Sequence, residues 1–274
     1  MCTVLKVSRS GYYKWRHHVP GQQEKRRQKL MKRIQYHFDG YKQRYGSPKI
    51  AVKLRGEGWI VSTKTVSRLM KKMGLCSRTV NKYKATTNSN HSLPVFDNLL
   101  NQNFQVLAPN CTWVADITHI QTNEGWVYLS SLMDLYSRKI IGWSVGSRMT
   151  KELTLEALRM AYERQAPTHP VIHHSDRGSQ YASHEYRKQL ETYKMIGSMS
   201  RKGNCYDNAS IESFHSVLKK EMVYHTKFKT RQQAYEALYE YIEIDYNRIR
   251  IHSSIGNVSP HQFEKNYFQN HQAS

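Results

Sequence analysis

Three acidic residues lie far apart in the sequence, each in a setting where a carboxylate has a chemical use. Asp116 interrupts the β-branched and aromatic stretch TWVADITHI, where a lone aspartate is costly to bury unless it is paired or bound to a metal ion. Asp176 follows the apolar run VIHH, at the end of a predicted strand, where α/β sheets place their sites. Glu212 lies one turn into the helical segment NASIESFHSVLKK. Each residue alone also fits a structural role, so the prediction of a site depends on all three.

The helix predicted around Glu212 has an apolar face and a polar face. Ile211, Phe214 and Leu218 recur at helical spacing and are expected to pack on a sheet. The polar stripe beside them consists of Asn208, Glu212, His215 and Lys219. This face would bring a carboxylate to the site, with a lysine about 10 Å further along the helix.

Converging carboxylates repel one another, so a cluster of three is stable only with cations between them. Ligands that are all oxygen select the hard ions Mg²⁺ or Mn²⁺ over zinc. Two such ions about 3.5 to 4 Å apart activate a water or a DNA 3′-hydroxyl on one side and stabilise the leaving oxygen on the other. The sequence therefore predicts in-line attack at phosphorus, with Asp116, Asp176 and Glu212 as catalytic metal ligands.

Positive charge is concentrated in the first part of the chain. The 274 residues include 42 Lys and Arg against 21 Asp and Glu, a net charge of +21 with a pI near 9.8. Residues 1–110 hold 22 of these cations against four acids, whereas residues 111–274 hold 20 against 17. Clustered cations gain by displacing counterions from a phosphate backbone, so the first part is predicted to bind double-stranded DNA. A membrane surface or an acidic protein is the weaker alternative.

The basic part is predicted to be helical. Residues 2–16 fit the turn and second helix of a helix-turn-helix whose first helix is missing, so we expect the chain to begin inside such a module. Residues 22–38 form a predicted amphipathic helix. Its basic face includes the candidate DNA contacts Arg26 and Arg27.

Two short helices across a tight turn are predicted next. Pro48 suits the first turn of a helix that ends near Leu54, and Ser62 or Thr63 caps a second helix that Gly74 closes. The second helix carries the candidate DNA contacts Lys64, Arg68, Lys71 and Lys72. The pair is predicted to be a helix-turn-helix-like DNA-binding region, with a helical adaptor whose basic face is merely solvated as the alternative.

Residues 112–145 have the pattern of strands. Three β-branched and aromatic runs separated by turn residues predict an antiparallel meander. The pattern then predicts strands at 171–174 and 196–199, helices at 150–165, 183–194, 208–222 and 230–247, and an irregular tail. The order βββαβαβα predicts an α/β fold with a mixed five-stranded sheet flanked by helices.

These patterns divide the chain into five predicted segments. They are a partial helix-turn-helix and basic helix at 1–40, a helix-turn-helix-like region at 41–80, a linker at 81–108, a catalytic core at 109–224, and a C-terminal helix and tail at 225–274. The linker is expected because residues 80–91 are rich in Asn, Lys, Thr and Ser and lack periodicity.

The cysteines and the hydropathy exclude several classes of protein. The four cysteines lie far apart without a CxxC pair, which argues against a disulfide framework and a zinc site: they are Cys2, Cys76, Cys111 and Cys205. No apolar run approaches the roughly 18 residues of a membrane helix, and the N-terminus lacks the pattern of a signal peptide. We therefore expect a soluble cytoplasmic protein, without zinc.

Four segments carry a resemblance to a known family: WVADITHI, DLYSRKIIGW, HSDRGSQY and NCYDNASIESFHSVLKKE. They resemble the catalytic core shared by retroviral integrases and DDE transposases. Thirty-five residues separate Asp176 from Glu212, and Lys219 stands seven beyond Glu212, as in that family. The resemblance extends from SRSGYYKW through RYGSPKI to YNRIRIHSSIGNVSPHQF and is strongest to the second-frame protein, OrfB, of the insertion sequence three family.

The resemblance implies an RNase H-like catalytic fold that uses two Mg²⁺ ions, with Mn²⁺ as a substitute. It implies that Lys219 contacts the DNA end, and we add Arg177 as a DNA contact and His174, Asn208 and His215 as supporting residues. It also implies copy-out, paste-in movement through a circular intermediate, action at terminal inverted repeats as a homo-oligomer near the nucleoid, and an upstream partner, OrfA. Integrases carry an N-terminal zinc domain, but no segment here has its His and Cys spacing.

Three other functions compete with this interpretation. A tyrosine recombinase would use the HxxR pattern that His174 to Arg177 spells, but that motif needs a helical setting. A relic that binds DNA without catalysis would not need the acidic triad. An RNA-cleaving enzyme of the same fold would not need the basic first part or Lys219.

Overall fold

The computed structural model describes residues 2–78 and 93–272. The chain divides into two compact units, Met1–Arg78 and Thr79–Ser274. Residues 81–92 of the predicted linker lie outside the described residues. Within them, none of the helices combines the length and the apolar character needed to cross a bilayer.

The first unit contains four helices: α1 (Arg9–Arg16), α2 (Gln22–Gly40), α3 (Ser47–Gly56) and α4 (Thr63–Lys72). Ser62 caps α4, because its side chain accepts a hydrogen bond from the Thr65 amide at 3.1 Å. The helices α2, α3 and α4 pack around a core of Leu30, Ile34, Phe38, Ile50, Ala51, Leu54, Val66, Leu69 and Met70. The predicted helices are thereby confirmed, whereas α1 contributes no buried residue.

The second unit is built on one five-stranded sheet. Its strands are β1 (Thr112–Thr122), β2 (Gly125–Asp134), β3 (Ile140–Gly146), β4 (Ile172–Ser175) and β5 (Ile196–Met199), in the order β3-β2-β1-β4-β5. The first three strands are antiparallel, and β4 and β5 add to β1 in parallel. The predicted mixed sheet, an RNase H-like arrangement, is confirmed.

Helices cover both faces of this sheet. One face packs against α5 (Lys151–Gln165), α6 (Ser179–Ala182) and α7 (His184–Thr192). The other face packs against α8 (Ala209–Glu221), α9 (Arg231–Tyr239) and the π-helical segment Glu240–Ile249. Short 3₁₀ turns occupy Cys205–Asn208, Val223–His225 and Ser253–Ile255.

The prediction of an irregular tail is wrong. Helix α10 runs over Pro260–Gln272, with a proline at its first position, where the missing amide proton costs nothing. The Tyr136 ring contacts Phe263 and Tyr267 of this helix, with ring centroids 5.0 and 5.2 Å apart. The sequence signal is weak because polar Gln, Asn and His residues surround these aromatic anchors.

A glycine in β3 permits close packing of α5 on the sheet. A Cβ atom at Gly142 would overlap the carbonyl oxygen of Ala157 and lie 2.7 Å from the Ala161 Cβ. We expect Gly142→Ala to lower the free energy of unfolding by about 1–3 kcal/mol, because the core is overpacked. Gly40→Ala is the control, since nothing lies within 4 Å of a Cβ there. Equal melting temperatures for the two variants would contradict the packing argument.

Candidate active site

Strand pairing brings two of the predicted carboxylates together. Asp116 lies in the centre of β1, opposite Ser131 of β2. The parallel pairing of β1 with β4 ends at Ala115 and Ser175, and an aspartate follows each: Asp116 within β1 and Asp176 directly after β4. Both side chains are half-buried.

The third carboxylate comes from the first turn of α8. Ile211, Phe214 and Leu218 are buried in the core beside β1, as the periodicity predicts. The side chain of Asn208, just before the helix, donates a hydrogen bond to the carbonyl oxygen of Ala115 at 3.0 Å. Asn208 therefore holds the start of α8 against the residue that precedes Asp116.

His215 links α8 directly to Asp116. Its Nδ1 lies 3.2 Å from one carboxylate oxygen of Asp116, and its Nε2 lies 2.7 Å from the Ser131 hydroxyl. The second oxygen of Asp116 accepts from the Ile117 amide at 2.8 Å. The predicted supporting residues Asn208 and His215 thus both lie beside Asp116, although their catalytic contribution stays a prediction.

Glu212 lies within electrostatic range of both aspartates. Burial, and then the negative charges of Asp116 and Asp176, raise the pKa of Glu212 to about 7. The same two aspartates help to raise the pKa of Tyr181, after burial and Tyr186. Glu212 is nevertheless exposed to solvent in the first turn of α8, which screens much of this repulsion.

The donor set fits a hard divalent cation in chemistry, but the side chains are not gathered around one point. Among the described residues, no group of three or more His, Cys, Asp or Glu side chains is arranged to hold a metal ion. Asp116 is engaged with His215, and the Asp176 carboxylate accepts from the Gly178 amide at 2.9 Å. Shared metal coordination therefore requires side chains to turn away from their present partners, and the metal-ligand assignment stays a prediction.

Lys219 lies within electrostatic range of the site. Burial lowers its pKa, and the charge of Asp116 partly offsets that shift. The pKa of His119 is lowered by burial and by Lys219. The His119 ring meets Trp126 edge-on, with centroids 4.9 Å apart. His119 lies three residues after Asp116, and the sequence analysis did not identify it.

His174 and Arg177 form hydrogen bonds to Ser198 and Ser200, at the end of β5, and their roles in the site stay predictions. His174 is buried, its ring nitrogens lie 2.9 Å from the Ser198 hydroxyl and 3.1 Å from that of Ser200, and burial lowers its pKa to about 4. The Arg177 Nε donates to the Ser200 carbonyl at 2.7 Å. Because His174 is buried on a strand, the HxxR pattern lacks the helical setting that a tyrosine recombinase needs.

Asp207 was also missed by the sequence analysis. This buried carboxylate lies in the turn before α8, and its pKa is held well below the usual range, chiefly by hydrogen bonds from Arg201. Asn98 and Gln102 donate to it from the segment before the sheet, each at 2.9 Å. The only signal in the sequence is that an aspartate directly precedes Asn208.

The candidate DNA contacts of the first unit are all exposed: they are Arg26, Arg27, Lys64, Arg68, Lys71 and Lys72. Arg26 also donates to the carbonyl oxygen of Ile60 at 3.0 Å, so one of its nitrogens has a structural partner. The exposure fits phosphate binding, which stays a prediction for each residue.

Sheet order and carboxylate placement together define an integrase-type catalytic core. In agreement, residues 107–205 match the family "Integrase core domain", and residues 212–268 match a second family of that description. Residues 25–83 match the family "HTH-like domain".

Relatives are similar over nearly the whole chain. It is 47% identical to the insertion element IS600 uncharacterized 31 kDa protein of Shigella sonnei, over 98% of this chain and 99% of that protein. It is 43% identical to transposase InsF for insertion sequence IS3A of Escherichia coli (strain K12), over 96% of this chain and 92% of that protein. The chain belongs to the IS3 family of DDE transposases.

Solved retroviral proteins are more distant. A simian T-cell lymphotropic virus intasome chain gives a TM-score of 0.49 at 16% identity, over 84% of this chain and 73% of that chain. The HTLV-2 integrase catalytic core domain in complex with magnesium gives 0.45 at 17% identity, over 58% of this chain and 99% of that chain.

The raised pKa of Glu212 has a consequence for stability without metal. A folded-state pKa near 7, above the ordinary 4.5, stabilises the fold fully below about pH 4.5 and loses that contribution as pH rises through 7. In EDTA, we expect the melting temperature of Glu212→Gln to rise relative to that of wild type as the pH increases from 5 to 8. Melting curves across this range check it, and a variant that loses stability at pH 8 would indicate a structural role for the carboxylate.

Proposed function

We propose that this chain catalyses metal-dependent DNA strand cleavage and strand transfer in the movement of a bacterial insertion sequence. The observation that carries the proposal is geometric: the pairing of β1 with β4 sets Asp116 and Asp176 on neighbouring strands, and Glu212 lies in the first turn of α8 beside them. Burial, and then the charges of the two aspartates, raise the pKa of Glu212 to about 7. Three neighbouring acids on separate elements repel one another unless a cation lies between them. Membership of a transposase family supports the same reaction.

The residues that would hold the metal are these three carboxylates. Two Mg²⁺ ions, or Mn²⁺ in their place, would supply charge for the attacking and leaving oxygens at phosphorus. The choice of ion is supported by the ligands themselves, because carboxylate oxygens suit hard cations that also bind phosphate oxygens. We expect no zinc requirement, because none of the three predicted ligands is a nitrogen or a sulfur.

The chain's own residues orient the site. Asn208 and His215 fix α8 and Asp116 relative to each other. Lys219 lies on the same face of α8 as Glu212, because seven residues are nearly two full turns. We propose that its ammonium group pairs with a phosphate of the DNA end, with Arg177 as a second contact.

The wider reaction follows from the family. We propose that the enzyme acts on double-stranded DNA at terminal inverted repeats as a homo-oligomer, with or fused to the upstream-frame protein OrfA. We further propose copy-out, paste-in movement through a circular intermediate, in the cytoplasm near the nucleoid. The exposed cations of α2 and α4 support a DNA grip by the first unit.

The test is incubation of the full chain with labelled ends of the element that encodes it, in Mg²⁺, with and without OrfA. We expect single-strand cleavage and end-to-end joined products, with EDTA as the negative control. A chain that binds the ends in Mg²⁺ but yields no cleaved or joined strand under either condition would be a DNA-binding relic. Linear products alone would contradict the circular intermediate.

A further inference from the structure

The last turn of α8 ends in a nearly buried ion pair. The side chains of Glu221 and Arg250 are only 10% and 13% exposed. Arg250 donates through Nη2 to Glu221 Oε1 at 3.0 Å and through Nε at 3.1 and 3.2 Å to the two oxygens. The Tyr241 hydroxyl donates to Glu221 Oε2 at 2.9 Å. Both oxygens of Glu221 are therefore bound by the segment 241–252, which follows α9.

The same segment makes a second contact with α8, near the middle of the helix. The Tyr246 ring meets Phe214 edge-on, with centroids 4.7 Å apart, and Tyr246 is buried. Arg250 continues the network, since its Nη1 lies 3.1 Å from His252 Nε2. Residues 246–252 thus contact α8 near its middle and at its end.

The same segment is fastened to the sheet. The side chain of Asn247 accepts from the Ile140 amide and donates to the Ile140 carbonyl, both at 2.9 Å. Asn247 therefore pairs with the start of β3 as a strand neighbour would. Because residues 246–252 hold both β3 and α8, they set the helix relative to the sheet.

The position of Glu221 on the helix gives this contact its meaning. Glu221 lies nine residues, or two and a half turns, after Glu212, so the two side chains point to opposite sides of α8. Because a helix is rigid, hydrogen bonds to Glu221 on one side of α8 also fix the orientation of Glu212 on the opposite side. A buried ion pair is seldom more stabilising than apolar packing, whereas its directional bonds do restrict rotation.

We propose that Glu221 and Arg250 are positioning residues that set the rotation of α8 and so hold Glu212 and Lys219 at the DNA site. The inference rests on the proposed function. Loss of the pair leaves the helix packed by its apolar face but free to turn by a few degrees. A displacement of about 1 Å at reacting groups costs up to about 10²-fold in rate.

Glu221→Gln tests this against a matched control, Glu264→Gln. The Glu264 side chain is also 10% exposed. Glu264 lies in α10 and pairs with Lys139, and neither residue belongs to α8. We expect both variants to lose melting temperature. Only Glu221→Gln is expected to lower the joining rate tenfold or more at saturating Mg²⁺ and to raise the Mg²⁺ concentration for half-maximal joining.

Joining is measured well below both melting temperatures, so that lost stability does not appear as lost rate. Arg250→Lys keeps the positive charge but loses the bidentate contact, so its joining rate is expected to lie between those of wild type and Glu221→Gln. If Glu221→Gln does not fold, Arg250→Lys takes its place in the comparison. Equal joining rates and Mg²⁺ requirements in the Glu221 and Glu264 variants would overturn the positioning role. Wild type that joins no DNA would instead overturn the proposed function, and this inference with it.

Discussion

Glu212→Gln is expected to lower Mg²⁺-dependent cleavage and joining by at least about 10²–10³-fold, the loss typical when one group that stabilises transition-state charge is removed. The substitution keeps the size of the side chain and removes the charge that the proposed ions need. Affinity for DNA is expected to stay within about twofold, because the candidate phosphate contacts lie on other residues. Gel-based joining assays and a binding titration on the same preparation measure both quantities.

The control for this substitution is Glu240→Gln, which removes a carboxylate from the π-helical segment outside the candidate site. Wild-type joining by Glu240→Gln together with loss in Glu212→Gln would place the effect at the triad. Undiminished joining by Glu212→Gln would refute the assignment of this residue as a metal ligand.

The affinity of the protein for duplex DNA is expected to fall about 10³-fold between 50 and 200 mM salt. This follows if the six exposed cations of the first unit each neutralise one phosphate, because each contact contributes about 0.9 to the slope of log affinity against log salt. Fluorescence anisotropy over a salt series measures the slope. An affinity that does not change with salt concentration would contradict DNA binding through phosphate contacts.

A pair of double variants assigns this slope to the first unit. Lys64→Gln with Arg68→Gln, on the exposed face of α4, is expected to reduce the slope by about 2. Lys188→Gln with Lys194→Gln removes two exposed cations from the second unit and is expected to change the slope little. A larger reduction of the slope by the Lys188 and Lys194 variant would instead assign the main phosphate contacts to the second unit.

Elements with a strong period were predictable from the sequence. The β-branched and aromatic run around Asp116, bounded by turn residues, predicted β1, and the apolar stripe of α8 predicted both the helix and the face that carries Glu212. Ser62 was predictable as a cap because its hydroxyl competes well for a free amide at a helix start. In each case the local chemistry alone specifies the structure.

Features that depend on distant partners were not predictable. Asp207 is important because Asn98, Gln102 and Arg201 reach it, and no local pattern reveals those partners. Helix α10 depends on aromatic contacts with Tyr136, more than one hundred residues earlier. The hydrogen bond from His215 to Asp116 likewise needs the sheet and helix to be assembled first.

The location of a bound metal ion tests the central claim most directly. Crystals of the protein soaked in Mn²⁺ and measured at the manganese absorption edge would reveal the ion by its anomalous signal. We expect anomalous density in contact with carboxylate oxygens of Asp116, Asp176 and Glu212, with the Asp116 side chain turned away from His215. Density that contacts other residues only, or none at saturating Mn²⁺, would contradict it.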